Sequence, residues 1–514
     1  MMGSILPIIV AAPALAALIL LGVPSRLKWT TRIISLIGAS ISLIGSIIVA
    51  VNYDRAAAGL QLPWTVPVVP GLGIHLSLAV DGWGATLLLL TGIIIFASVI
   101  ASFTVARRDK EFFIYLLVLV SGVFGVFVAQ DLLIFFLFYE IAVLPMYLLI
   151  GIWGSSHAVT EAGPFRYVWK ILDVGGREYA AMKLTLMLLI GSAAILVGIF
   201  ALYIESGTHS FDLTALGRVH YSETTQLWVF PLFWLGFGTL AGVFPFHTWS
   251  PDGHASAPTA VSMLHAGVLM KLGAFGVMRI GMVMLPEGTH FWAPLVGGVA
   301  VINVVYGALA AMSQKDLKYI VAYSSVSHMG IVMLGAATLD ASGWNGAVFQ
   351  MSAHGIMTGL LFALVGLIYE RSHTRIIATM GGFASVMPVV VAFFTLACLS
   401  SLGLPGTAGF VAEMMVFLGA WRASHEVWAV AGIFGAFVTA VYVLRASRTI
   451  FWGPGPSAKF EHLHDAHGTE LAAPILLGTA LIVFGVWPRL LLDLIDPSTG
   501  TNLQIILKAI GGQP

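Results

Sequence analysis

Cysteine is almost absent from this 514-residue sequence, with Cys398 standing alone. That excludes a disulfide framework and a cysteine-ligated metal site together. Charge is scarce too: Asp, Glu, Lys and Arg make up only 9% of the chain, whereas soluble domains carry roughly a quarter. The 24 basic and 24 acidic residues cancel, so no strongly charged surface is present to recruit nucleic acid or another polyelectrolyte. No glycine-rich phosphate loop follows a strand and no nucleophile motif stands in a soluble segment, so nucleotide binding is not expected. No hydropathic segment carries two mid-span histidines, which argues against a transmembrane haem held between two helices.

What the chain has is hydrophobic length: 59% hydrophobic residues and a mean hydropathy of +0.96, the composition of an integral membrane protein. Apolar segments near 20 residues fall at 4–22, 31–51, 85–105, 112–129, 132–153, 182–204, 226–246, 258–283, 292–312, 318–338, 344–369, 386–423, 427–450 and 471–490. Residues 1–23 lack a positive n-region and a small-residue cleavage site, so the first segment reads as a retained span. The twelfth is too long for one helix and contains SLGLPGTAGF, Ser401 to Phe410, so it reads as a broken helix. If the N-terminus lies outside, 17 Lys and Arg residues fall in inside loops and 6 outside, with Lys271 in the membrane completing the 24. Cytoplasmic loops are the ones enriched in Lys and Arg, so both termini are expected outside the cytoplasm.

The expected fold class is an all-α polytopic membrane protein of about 14 transmembrane helices, with two inverted five-helix repeats that each contain a broken helix. The boundaries expected are 1–111 for the first three helices, 112–283 for the first repeat, 292–450 for the second, and 451–514 for an inside loop and the last helix. Each block has an interruption at a comparable place, FPFHTWSPDGHASAPTA in the first and LPGTAGF in the second. Paired interruptions in inverted halves point to an ion path near the membrane midplane.

Against this background a few polar residues stand out. Lys271, in AVSMLHAGVLMKLGAFG, lies near the centre of the eighth span, where an ammonium costs at least about 2.5 kcal/mol and cannot reach either surface. Glu140 poses the same problem on the fifth span, and Glu413 follows the break in the twelfth. His265, His328 and His354 sit within spans eight, ten and eleven. A structural ion pair or an interhelical hydrogen bond is the plain alternative for each. All of them can change charge, however, as a proton relay requires. Metal binding is not expected from His462, His464, Asp465 and His467 in EHLHDAH, which reads as a solvated loop. His247, Asp252 and His254 border the first break, where a water path or a structural role fits better than a metal.

These stretches in order, DLLIFFLFYEIAVLPMYLLIGIWG, FPFHTWSPDGHASAPTAVSMLHAGVLMKLGAFG, SQKDLKYIVAYSSVSHMGIVMLG, HGIMTGLLFALVGLIYERSHTR and LGLPGTAGFVAE, resemble the antiporter-like membrane subunits of NADH-quinone oxidoreductase, respiratory complex I. Within that family they are most similar to the subunit M type, the counterpart of mitochondrial chain 4. The resemblance runs from about Asp81 to about Trp452. It implies one proton-translocating channel in a bacterial plasma membrane, driven by redox chemistry elsewhere in the complex. No cofactor is implied in this chain; FMN, iron-sulfur clusters and quinone belong to partner subunits. The implied partners are L-type and N-type antiporter-like chains, small membrane subunits, the lipid bilayer and protons. Glu140, Lys271, His354 and Glu413 match the family's polar axis, with His328 and His265 as secondary members. A chain of a Mrp-type cation/proton antiporter or of a membrane-bound hydrogenase shares the motifs and is the alternative, as is a structural membrane-arm subunit with impaired pumping.

One departure from the family pattern matters. Where the family carries a lysine on its seventh helix, FGTLAGVFPFH places Leu240, and Gly242 replaces a proline. No lysine occurs between Lys183 and Lys271, so Glu140 lacks the partner the resemblance implies. Lys271, water or His265 could take that role. His265 and Lys271, six residues apart, are separated by about 9 Å of helical rise and about 120° of rotation, which rules out a simple stacked pair. The segment Ser155 to Tyr179, longer than the family's, is expected to be a packed surface element.

Overall fold

The computed structural model describes residues 4–57, 59–156, 175–453, 460 and 463–511. Most of the segment expected at Ser155 to Tyr179 lies outside these described residues, as does His462. Thirteen of the described helices are long and apolar enough to cross a membrane, and one further crossing is divided between two shorter helices. In chain order they begin with α1 (Ile5–Gly22), α2 (Lys28–Asn52) and α3 (Gly82–Ala101). The first block then comprises α4 (Asp109–Val128), α5 (Leu132–Trp153), α6 (Arg177–Ser206), α7 (Glu223–Ala241) and α8 (Thr259–Met282). The second comprises α9 (Pro286–Ser313), α10 (Leu317–Ala337), α11 (Ala341–Ser372), the divided crossing α12 (Pro388–Ser401) and α13 (Ala408–Arg422), and α14 (Glu426–Phe451). Each block has five crossings, an odd number, so the second runs through the membrane inverted, and in both the fourth crossing is the broken one.

Helix starts follow from side-chain caps. Asp131 accepts hydrogen bonds from the Leu133 and Ile134 amides at the start of α5, at 3.0 and 3.1 Å, and Asp316 and Asp340 do the same for α10 and α11. Each supplies an acceptor to amides that have no partner within the helix. Asp131 also accepts from the His75 amide at 2.9 Å, which fastens a β-hairpin to the mouth of α5.

That hairpin, β1 (Gln61–Val69) and β2 (Ile74–Val80), is an element beside the all-α bundle that the span list does not include. Pro63, Pro67 and Pro70 make the stretch read as loop, yet proline is tolerated on edge strands, and both strands here are edges. A second difference lies after α15 (Ala472–Val486). The chain continues as α16 (Arg489–Ala509), which buries Leu491, Leu494, Ile495, Leu503 and Ile506 along one stripe. Ser498 accepts from the Gly82 amide at 2.8 Å, and Thr499 from the Trp83 indole at 3.0 Å, so α16 is strapped across the start of α3.

Burial is graded as it is in a membrane bundle. α1, α2, α6 and α14 expose leucine, isoleucine, valine and phenylalanine outward, while α8, α10 and α11 are almost wholly enclosed. The enclosed helices carry Lys271, His265, His328 and His354.

Candidate functional site

Both breaks are built so that their freed backbone groups find partners. Gly242 ends α7 in the left-handed conformation, φ +75°, where glycine carries no penalty. The chain then passes through a turn into a short helix, Trp249–Ser256. Asn303 of α9 supplies the missing partners: its Oδ1 accepts from the Phe244 amide at 2.7 Å, and its Nδ2 donates to the carbonyls of Val326 at 2.8 Å and Gly242 at 3.4 Å. At the second break, Gly403 and Gly406 take φ +73° and +94°. A methyl group on Gly403 would lie 2.8 Å from Glu413 Oε2, so the Glu413 carboxylate rests directly on the broken backbone.

From that carboxylate a row of buried groups runs inward. Glu413 Oε1 is 3.5 Å from His328 Nε2, and both side chains are almost fully enclosed. The His328 Nδ1 atom is 2.8 Å from the Ser324 carbonyl, and Nε2 is also 3.2 Å from the Ser401 carbonyl. With oxygens facing both ring nitrogens, two arrangements are consistent: an imidazolium beside a carboxylate, or a neutral ring accepting from a protonated Glu413. The pair can thus hold one mobile proton. The His328 ring stacks against His354 of α11, centroid to centroid 5.3 Å.

His354 meets Lys271. Its Nδ1 is 2.6 Å from the Lys271 ammonium nitrogen, which also donates to the Ala266 carbonyl. The local fold of α8 explains both contacts. Two wide π turns, His265–Leu269 and Val277–Met282, flank the α-helical piece Met270–Gly276. Such turns leave carbonyl groups outside the regular ladder, and they recur at functional sites. Gly267 of α8 sits against Gly355 of α11 so closely that a methyl on Gly355 would approach the Gly267 carbonyl to 2.5 Å. The glycine contact lets the two backbones approach, and Lys271 and His354 bridge them within two turns of it.

Glu140 is not part of this row. It makes no ion pair among the described residues; Ser192 of α6 is its polar neighbour and its Oε1 is buried without a protein partner. Phe237 of α7 stands between α5 and α8, its ring edge-on to Phe135 and Tyr139 at 5.8 and 6.1 Å and pressed onto Gly276. Leu240, on the same helix, is completely buried. An apolar wall therefore lies where the resemblance implies a lysine.

His265 does not bond Lys271 directly. Its ring lies 4.1 Å from that of His254 and 5.0 Å from that of Trp249. The sequence reading missed that pairing, because a helix break and eleven positions separate the two histidines. It also counted Lys318, the first residue of the span 318–338, among the inside basic groups; Lys318 is instead buried in the first turn of α10, donating to the Ala257 carbonyl at 2.6 Å. The signal was present in SQKDLKY, since a capping aspartate two residues before a lysine puts that lysine inside the helix. In the EHLHDAH loop, Asp465 accepts from the Val389 and Val390 amides at 2.6 and 3.2 Å and so caps α12, while His464 and His467 are exposed.

Comparison with known proteins gives a consistent answer. The family described as "NADH:quinone oxidoreductase/Mrp antiporter, TM" matches residues 173–439. NAD(P)H-quinone oxidoreductase chain 4 2 of Thermosynechococcus vestitus is 36% identical over 96% of this chain and 91% of its own length. A chain 4 1 from Picosynechococcus sp. is 38% identical over 95% and 90%. Among solved structures, a chain of respiratory complex I from Thermus thermophilus with bound NADH superposes with a TM-score of 0.85 at 28% identity, covering 98% of this chain and 100% of that one. A chain of the Mrp complex from Dietzia sp. shares the fold, with a TM-score of 0.82 at 20% identity over 98% and 99%.

Proposed function

Because the chain belongs to the family of membrane subunits shared by NADH:quinone oxidoreductases and Mrp antiporters, and is an antiporter-like subunit of the chain 4 type, we propose that it carries protons across the membrane along Lys271, His354, His328 and Glu413. One observation carries the reading: four enclosed groups able to change charge stand in sequence, linked at 2.6 Å, by ring stacking at 5.3 Å and at 3.5 Å, and end on the second helix break. A lysine ammonium donating to His354 Nδ1 can pass its proton there. The ring then releases one from Nε2, which has no hydrogen-bond partner among the described residues, so a bridging water would have to carry it past the ring stack to His328 and Glu413 at the break.

On this reading the partners are the redox and membrane subunits of an NADH-quinone oxidoreductase, which would drive the relay from a distance. The complex I reading is preferred to an independent antiporter because the relatives at 36–38% identity carry the chain 4 name. We place both termini outside the cytoplasm, which puts Lys183, Asp252, Lys318 and Arg375 on the cytoplasmic side. The test is proton translocation by the assembled complex in proteoliposomes during quinone reduction. Lys271→Met and Glu413→Gln should each lower the protons moved per electron, and wild-type stoichiometry in both would refute the relay.

A further inference from the structure

Away from the row that ends at Glu413, a cavity of about 320 Å³ lies between the start of α3, the last turn of α8, α16 and the single helical turn Leu213–Leu216. That volume falls at the lower end of the range for small-ligand sites. The charged residues lining it are Arg218, Arg279 and Asp81, which leaves one positive charge in surplus. Arg279 Nη1 donates to Asp81 Oδ2 at 2.7 Å, and Asp81 Oδ1 accepts from the Gly84 amide at 2.8 Å. Each carboxylate oxygen therefore already holds a donor. A guanidinium carries several further N–H groups in a planar fork, so Arg279 is not exhausted by this pair. The exposed Arg218 side chain makes no hydrogen bond or ion pair among the described residues and is wholly available.

Two amides in the wall sharpen the chemistry. Gln130 and Asn502 are 6% and 5% exposed, and Gln130 Oε1 and Asn502 Nδ2 are buried without a protein partner. Gln130 is held in place on both sides: its Nε2 donates to the Ala79 carbonyl at 3.1 Å, and its own carbonyl accepts from the Leu213 amide at 2.8 Å. Its Oε1 is thus an acceptor that wants a donor, while Asn502 Nδ2 is a donor that wants an acceptor. A ligand that meets all of these carries one negative charge spread over several oxygens, and a hydroxyl or ammonium beside it. A phosphodiester headgroup has that composition, and arginine forks suit its oxygens.

The mouth of the cavity favours an amphiphile over free phosphate, which shares the anion. Leu60 and Ile505 stand there 39% and 42% exposed, with Val283 and Met284 beside them. Inorganic phosphate leaves these side chains in water, whereas the first methylenes of an acyl chain cover them. Gly82 begins one span and Met282 ends another, so the cavity sits where the membrane-crossing segments end, at headgroup depth.

We propose that this cavity binds the headgroup of an anionic phospholipid, with the phosphodiester on Arg218 and Arg279 and a headgroup hydroxyl on Gln130. One such lipid joins α3, α8 and α16 at a single point. The inference does not depend on the proton-carrying function proposed above.

The test uses the assembled complex, delipidated in detergent and titrated with short-chain phosphatidylglycerol, with bound lipid counted by native mass spectrometry and quinone reduction followed as the check on assembly. Arg218→Gln and Asn502→Leu should each weaken one binding event by about tenfold or more. Arg489→Gln makes the same charge change at the exposed start of α16, away from the cavity, and should leave that event unchanged. Equal lipid occupancy in the wild type and Arg218→Gln overturns the site; because Arg218 is exposed, this variant decides the question even if Asn502→Leu fails to assemble. A loss in Arg489→Gln equal to that in Arg218→Gln assigns the binding to general surface charge and also overturns it. Inorganic phosphate at the same concentration should not displace the lipid; displacement makes the cavity a free-phosphate site and overturns the lipid assignment.

Discussion

Gly403 and Gly406 sit three residues apart in the second break, both with positive φ, and offer a matched pair of perturbations. An alanine in this region of backbone space costs about 1–2 kcal/mol in either place. Beyond that the two sites diverge. A methyl on Gly406 meets nothing within 4 Å, whereas on Gly403 it falls 2.8 Å from Glu413 Oε2. To regain van der Waals contact at 3.4 Å the carboxylate must withdraw by about 0.6 Å, opening its 3.5 Å approach to His328 toward about 4 Å. Gly406→Ala should thus lower thermal stability without changing the protons moved per electron. Gly403→Ala should lose a similar amount of stability and also translocate poorly. The assay is thermal unfolding of the detergent-solubilised complex beside proton translocation in proteoliposomes. If Gly403→Ala pumps as well as Gly406→Ala, the Glu413–His328 contact is not part of the path.

Three further outcomes follow from other contacts. Asn303→Leu leaves the Phe244 amide unpaired at the first break, and a stability loss of about 1–3 kcal/mol is expected in thermal unfolding of the complex. The Arg279–Asp81 pair, 2.7 Å apart with side chains only 16% and 7% exposed, should behave as a buried ion pair. Arg279→Met should then cost about 3–5 kcal/mol, and a double-mutant cycle with Asp81→Asn should show strong coupling. Gly355→Val forces α8 and α11 apart at the Gly267 contact; loss of assembled complex on native gels is expected, because Lys271 and His354 are then held beyond hydrogen-bond reach of each other.

The sequence makes some of this architecture plain and hides the rest for identifiable reasons. Lys271, Glu140 and Glu413 are conspicuous because their neighbours are apolar, and each lies in the helix expected. The two breaks are legible because glycine and proline interrupt otherwise continuous hydropathy. A search for runs of about 20 apolar residues is blind to α16, whose apolar positions form only a stripe and whose interior contains Pro497. It is equally blind to the β-hairpin. The order Lys271, His354, His328, Glu413 is a tertiary fact, set by the Gly267–Gly355 approach of two helices more than 80 residues apart. Leu240 marks a missing cation in the sequence, but only the fold reveals that Phe237 packs between Phe135, Tyr139 and Gly276 one turn away.

The two π turns of α8 also bear on how such a chain can vary in length. A π turn is in effect one extra residue accommodated in a helix, so deleting a residue from His265–Leu269 could restore a regular α-helix at little cost to the backbone. The residues on either side would then keep their present faces, whereas a deletion from the α-helical piece Met270–Gly276, which holds no extra residue, would turn everything after it by about 100° relative to Lys271. For a designer, or for drift among descendants of this sequence, the residue count of α8 has slack at its two wide turns and none between them.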